Sequence, residues 1–142
     1  HMEMFGLGSF EHAYPSTLSG GMRQRAAFLR TILTHREIML LDEPFGALDA
    51  LTRYEMQEWL LSLWDRLGKT ILFITHDVDE AVLLSDRVYV LTARPGRVKL
   101  TVEVGLPRPR SSSVITTPRF LTLKEQLLSA LREETGSAGG AG

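Results

Sequence analysis

The chain has 142 residues, of which 44% are hydrophobic and 23% charged, the ordinary composition of one globular domain. A net charge of −1 removes any global electrostatic case for nucleic acid or an acidic membrane surface as partner, and the absence of cysteine excludes a disulfide framework and thiol chemistry. No apolar run reaches the roughly 18 to 20 residues that a membrane span needs, so a role in transport would require a separate membrane-embedded partner.

His1-Met2 reads as a cloning scar, and no signal-peptide pattern follows it. Met4 to Phe10 is a short apolar piece broken by Gly6 and Gly8, and Tyr14-Pro15 favours an extended approach to the next segment. Ser19 is the predicted N-cap of a helix whose buried face is Met22, Ala26, Leu29 and Leu33. A backbone that approaches a phosphate closely needs residues without side chains, and the exposed N–H groups of a helix start favour an anion. Ser19-Gly20-Gly21 meets that need; its plain alternative is a glycine-rich cap. Ile38 to Leu41 has no polar alternation, which predicts a parallel strand covered on both faces. The run ends in Asp42-Glu43, at the strand end where open α/β sheets bind ligands: one acid to hold a metal, the next to orient water. A strand end with solvated acids is the plain alternative, and the preceding apolar run and following Pro44-x-Gly46 favour the site.

Asp49 is placed to cap a helix running to about Leu67, with Met56, Leu60, Leu63 and Leu67 on one face and Gly68 as its end. The pattern of Tyr54, Met56, Trp59 and Trp64 reads as helix packing. Thr70 to Thr75 is a second β-rich run, so the segment from Ile38 reads strand, helix, strand, a right-handed βαβ unit. His76 follows at the same sheet edge as Asp42; taken alone it would be a structural or surface histidine. Asp77 and Glu80 resemble a capping box opening a short helix to about Leu84, and Arg87–Thr92 and Val98–Val104 flank a hairpin turn. Residues 107–117 read as a surface linker in which Arg108 and Arg110 are solvated. Thr117-Pro118 opens a C-terminal helix over 118–135 with Phe120, Leu123, Leu127 and Leu131 on one face, and 136–142 is predicted to be a disordered tail.

Four of these stretches together resemble one family, the ATP-binding subunits of ABC transporters. Leu18 to Gln24 is similar to the ABC signature motif, Leu40 to Glu43 to the end of Walker B, Ala47-Leu48-Asp49 to the D-loop, and His76 to the switch histidine, in matching order and spacing. The resemblance runs from about Phe5 to Val104, and Leu106-Pro107-Arg108-Pro109-Arg110 with the final helix is similar to the nitrate, sulfonate and taurine importer branch. It implies an α/β fold, a partial P-loop NTPase core of mainly parallel sheet with flanking helices over residues 3–106, followed by the C-terminal hairpin and helix. It also implies ATP and Mg²⁺ as cofactors, with Asp42 holding Mg²⁺ through water and Glu43 acting as general base or water-positioning group. His76 would contact the γ-phosphate, Ser19, Gly20 and Gly21 would bind the γ-phosphate of ATP held by a partner, and Asp49 would act across the dimer interface. Met22 stands where many relatives carry Gln, a change expected to be tolerated because the backbone and Ser19 make the phosphate contacts. The implied partners are transmembrane permease subunits and a second ATPase subunit, with no nucleic acid, at the cytoplasmic face of the cell membrane as a peripheral protein.

No Gly-x-x-x-x-Gly-Lys-Ser/Thr occurs in the sequence, so the P-loop amides, their lysine and the hydroxyl that completes the metal site are missing. The resemblance therefore covers a C-terminal half, without Walker A or Q-loop. Two readings follow. One is an importer ATPase subunit for a small anion such as nitrate, sulfonate or taurine, present as a fragment inactive alone. The other is a non-catalytic interaction half-domain that supplies the signature motif in trans. In the family the P-loop strand lies between the strands matching Thr70–Thr75 and Arg87–Thr92. Its absence predicts direct closure of those two strands, a strand borrowed from another copy, or disorder beyond Leu84. Pairing between chains, as a homodimer or strand-swapped oligomer, is the favoured expectation.

Overall fold

A computed structural model of the chain describes residues 20–34 and 36–140. They fall into two compact units that divide between Thr75 and His76. The first contains helix α1 (Gly20–Ile32), strand β1 (Ile38–Asp42), helix α2 (Ala50–Leu67) and strand β2 (Thr70–Ile74).

α2 forms where its caps dictate. The Asp49 carboxylate accepts from Thr52 N–H at 2.7 Å, and Gly68 ends the helix in a left-handed conformation, φ 57°, that costs a residue without Cβ little. Met56, Leu60 and Leu63 are buried at the expected spacing. β1 and β2 pair in parallel with Ile38 opposite Thr70 and Asp42 opposite Ile74. The core of this unit is aromatic: Phe28 meets Phe45 at 6.0 Å and Trp59 edge-on at 5.5 Å, and Phe45 meets Phe73 at 5.7 Å. The Arg25 guanidinium lies 5.3 Å from the Trp59 ring centroid, a cation–π contact.

Two expectations for this unit need correction. The buried anchor of α1 is Phe28, while Leu33 is exposed, because the large aromatic surface offered by Phe45 and Trp59 outweighs an aliphatic stripe. β1 is also not covered on both faces. Met39 and Leu41 are buried, but Ile38 is 68% exposed, Leu40 61%, Leu72 54% and Ile74 44%, so one face of the two-stranded sheet is apolar and open to solvent. The hydrophobic run that predicts a doubly covered strand is present; the layer that would cover its second face is not among the described elements.

The second unit contains helix α3 (Val78–Leu84), strands β3 (Arg87–Leu91) and β4 (Val98–Glu103), a 3₁₀ turn (Ser112–Thr116) and helix α4 (Pro118–Gly140). Asp77 caps α3 by accepting from Glu80 N–H at 3.2 Å, as the capping box predicts. β3 and β4 form the expected hairpin, with Arg87 opposite Glu103 and an irregularity between Val90 and Leu91. α4 buries Phe120, Leu123, Leu127 and Ala130. Ala130 takes the place expected of Leu131, which is exposed, so the buried face follows a three-four-three spacing from Phe120 through Leu123 and Leu127.

Residues 107–117 are not a solvated linker. The Arg110 side chain is only 2% exposed and donates to the carbonyls of Leu106, Leu83 and Ser85; Arg108 donates to Leu84 O at 2.8 Å and to the Asp86 carboxylate at 2.9 Å. Two guanidinium forks thus take up carbonyls that the C-terminal end of α3 leaves without helical partners. Residues 136–140, expected as tail, continue α4. Once a packed stem exists each further residue adds one backbone hydrogen bond, which offsets the roughly 1 kcal/mol a glycine costs in a helix. Among the described residues, the first unit's sheet holds β1 and β2, and the second unit's holds β3 and β4. Among the described residues beyond Leu84 the chain forms β3, β4, a 3₁₀ turn and α4, in place of the disorder named as a third response. No helix among the described residues is long and apolar enough to cross a membrane.

Candidate functional site

The acidic residues gather where β1 leaves its sheet. Asp42 is the last residue of β1, exposed, and in register with Ile74. One residue on, Glu43 N–H donates to Ile74 O at 2.7 Å, extending the pairing past the strand end. Glu43 also has φ 45°, the single left-handed non-glycine residue among those described. For a residue with Cβ that conformation costs about 1 to 2 kcal/mol. It ends the alternation that would send adjacent side chains to opposite sheet faces, so two consecutive carboxylates leave one strand end without strand geometry setting their directions. Strain of this kind is concentrated at functional sites.

The next turns are tight. Gly46 N–H donates to Glu43 O and Leu48 N–H to Phe45 O, each at 3.2 Å, and Phe45 is fully buried. A Cβ on Gly46 would lie 3.8 Å from Glu43 Cβ and 4.0 Å from its Oε2, so the turn folds back beside the Glu43 side chain. Asp49 closes the loop as the α2 cap, and the Thr52 backbone N–H, followed by the Thr52 side chain, holds its carboxyl below the usual carboxylate range. One short segment therefore carries Asp42, Glu43 and Asp49.

The other expected residues are placed separately. Gly20 and Gly21 are the first two residues of α1, and Ser19 lies outside the described residues. His76 is exposed, two residues beyond the end of β2 and just before the Asp77 cap, and is the first residue of the second unit. Among the described residues no group of three or more His, Cys, Asp or Glu forms a metal cage. That fits an ion such as Mg²⁺ only in its usual nucleotide setting, where the protein contributes one or two carboxylates and phosphates and waters complete the octahedron. Asp42 is an exposed carboxylate at the end of β1.

Sequence reasoning missed Arg53. Its Nε donates to Phe45 O at 3.3 Å and its Nη2 to Leu48 O at 2.9 Å, so it ties down the acidic loop from α2. A signal existed: a cation in the first turn of a helix opposes the macrodipole and calls for a local reason.

A sequence profile of the family described as ABC transporter matches residues 1–46. The chain is 53% identical over 133 residues to an uncharacterized ABC transporter ATP-binding protein of Methanocaldococcus jannaschii, a match covering 94% of this chain and 49% of the relative. The chain belongs with the ABC transporter ATP-binding proteins. It is also 44% identical over 127 residues to an aliphatic sulfonates import ATP-binding protein of Bacillus cereus, covering 89% of this chain and 49% of that protein. A nitrate import ATP-binding protein of Synechocystis is 43% identical over 138 residues, covering 93% and 52%. Among solved structures, CbiO1 of Clostridium perfringens, part of an ABC transporter complex, superposes with a TM-score of 0.64 at 29% identity, over 72% of this chain and 40% of that one. A dimeric bacterial ABC transporter cassette gives a TM-score of 0.56 at 32% identity, over 75% and 45%. The fold is thus the α/β core of ABC ATPase cassettes, and the chain spans about half the length of the curated relatives it matches.

Proposed function

We propose that the chain is the C-terminal half of the nucleotide-binding domain of an ABC importer ATPase, carrying part of the catalytic machinery and no complete ATP site of its own. The observation that carries this reading is the loop after β1, where Glu43 is held in a strained left-handed conformation directly after Asp42 and Asp49 caps the next helix. Asp42 would hold Mg²⁺, which with ATP would supply neutralisation of phosphate charge. Glu43 accepts a proton from, or orients, the water that attacks the γ-phosphate, and His76 contacts that phosphate. Ser19, Gly20 and Gly21 meet the γ-phosphate of ATP held by a second ATPase subunit, and Asp49 acts across that interface. Transmembrane permease subunits are the further partners, at the cytoplasmic face of the membrane. The relatives named for sulfonate and nitrate import make a small anion the preferred transported class.

The alternative, a non-catalytic half-domain supplying the signature segment to another polypeptide, is favoured by one observation: the open apolar face of the β1–β2 sheet calls for a covering layer.

ATP turnover with Mg²⁺ tests the proposal. The 142-residue chain alone is expected to show none; turnover on the order of 1 s⁻¹ or more, abolished by Glu43→Gln, would overturn the half-site reading. With a P-loop-bearing upstream half joined to it, Glu43→Gln and His76→Ala are each expected to lower turnover at least about 100-fold, the usual contribution of a positioned acid–base group. Unchanged turnover in both would show the residue roles to be wrong.

A further inference from the structure

The loop from Glu43 to Asp49 carries an acid at each end, and an accurate site needs the spacing between them fixed. Local hydrogen bonds do only part of this. The two turns close on Glu43 O and Phe45 O, and each is a single neutral bond at 3.2 Å. The Phe45 ring is fully buried against Phe28 and Phe73, which pins the middle of the loop on its apolar side. What remains is the polar side, the carbonyls of Phe45 and Leu48.

Arg53 meets both. Its backbone is locked into α2 by the bond from its N–H to Asp49 O at 2.9 Å, and its side chain turns back against the chain direction. Nε reaches Phe45 O at 3.3 Å, eight residues earlier, and Nη2 reaches Leu48 O at 2.9 Å, five residues earlier. A guanidinium is planar, and its donors have fixed relative positions, so two simultaneous bonds fix distance and direction between the acceptors. Lysine would keep the charge and lose the fork.

We propose that Arg53 is a positioning residue: its guanidinium fork, through Phe45 O and Leu48 O, holds the Glu43–Asp49 loop so that its two terminal carboxylates keep one relative placement. The functional half of this inference rests on the proposed roles of Glu43 and Asp49; the structural half does not. Arg53 acts through the loop and touches no reacting atom.

Amide hydrogen exchange on the 142-residue chain tests the structural half. In Arg53→Lys and Arg53→Met alike, exchange at Gly46 and Leu48 is expected to rise about tenfold or more, the equivalent of roughly 1.4 kcal/mol. Exchange at Met56 and Leu60, in the buried stripe of α2, is expected to stay within about twofold, which separates a loosened loop from an unfolded unit. Wild-type protection of Gly46 and Leu48 in Arg53→Lys would show that charge rather than the fork holds the loop, and would overturn the inference. So would an equal rise at Met56 and Leu60, which would make Arg53 a general stabiliser.

The functional half is read in the protein joined to its P-loop-bearing half. Arg53→Lys and Arg53→Met are expected to lower kcat about tenfold with KM for ATP within about twofold, the pattern of a misplaced group that acts in the transition state. If Glu43→Gln abolishes turnover while both Arg53 variants keep wild-type kcat, positioning by Arg53 is refuted and the site stands. If Glu43→Gln is itself without effect, the site roles fail, and the exchange data still decide whether Arg53 holds the loop.

Discussion

Glu43 concentrates the functional question in one residue, since the backbone strain and the carboxylate can be separated by substitution. Glu43→Ala removes the carboxylate and keeps a Cβ at φ 45°; Glu43→Gly removes both. Glycine adopts this region at no steric cost, so Glu43→Gly is expected to be more stable than Glu43→Ala by about 1 kcal/mol, read from paired urea melts. Equal stability of the two variants would mean that the left-handed conformation stores nothing. The Asp42-Glu43 pair and its place at a strand end were legible from the apolar run and the Pro44-x-Gly46 break. The positive φ was not, because it depends on the bond from Glu43 N–H to Ile74 O, a contact between residues far apart in sequence. Arg110 shows the same limit from the other side. A segment of Pro, Arg, Ser and Thr reads as solvated on composition, yet its guanidinium is buried on the carbonyls of Leu83, Ser85 and Leu106. Burial pushes its pKa down from the usual arginine value while the nearby Asp86 acts in the opposite sense. Leaving such carbonyls unmatched costs about 1 to 3 kcal/mol, which is why a polar segment is held down.

Among the elements, helices whose signals are local came out as expected and strands whose burial depends on neighbours did not. α2 was bounded correctly by Asp49 and Gly68, and α3 by Asp77, because caps are short-range chemistry. β1 was placed correctly, but its second face depends on a layer that the sequence around it cannot report. The join between the hairpin and α4 is electrostatic and titrates at both ends. The Lys99 ammonium lies 3.1 Å from the Glu133 carboxylate and 3.2 Å from that of Glu134, and donates to Ala130 O at 3.0 Å. Partial burial works against the Lys99 charge, but the two glutamates outweigh it and raise its pKa above the usual 10.5. Glu134 is lowered below 4.5, first by the Ala93 backbone N–H and then by Lys99. The Glu134 contribution is therefore present above its unfolded value and lost as pH falls through its depressed folded value. The Lys99 contribution is present below 10.5 and lost as pH rises through its raised folded value. The Ala93 amide resonance is expected to move with Glu134 at acid pH, with a midpoint below 4.5, and to lose that transition in Glu134→Gln. An Ala93 resonance unchanged through the acid range would show that this tie does not form.

For the whole molecule, the question is what covers the open face of the β1–β2 sheet. Ile38, Leu40, Leu72 and Ile74 lie on one face, and among the described residues β2 pairs only with β1, so an apolar surface adjoins a strand edge without a described partner. Such edges recruit other strands. Burying the exposed parts of four aliphatic side chains contributes about 1 kcal/mol each, against an association cost estimated at roughly 4 to 15 kcal/mol. Two copies meeting face to face would bury eight such side chains, about 8 kcal/mol, which lies inside that range, so the face alone leaves the balance marginal. Self-association is favoured when it also uses the β2 edge, where backbone groups gain partners and registry at the same time. This makes the expected homodimer a strand-paired one, weak enough to depend on concentration, and distinct from the nucleotide-bridged arrangement proposed for the site. Light scattering on the chain is expected to show mass rising from monomer toward dimer between micromolar and millimolar concentration. Leu40→Lys with Leu72→Lys should return it to monomer, since two desolvated ammonium groups per chain would oppose each other across the interface. A monomeric mass throughout that range, with the β2 amides protected as strongly as those of β1, would refute pairing between copies. Joining the upstream half should have the same effect as the two lysines for the opposite reason: a layer supplied in the same polypeptide covers the face without the cost of bringing two molecules together, so the concentration dependence disappears while the leucines stay in place.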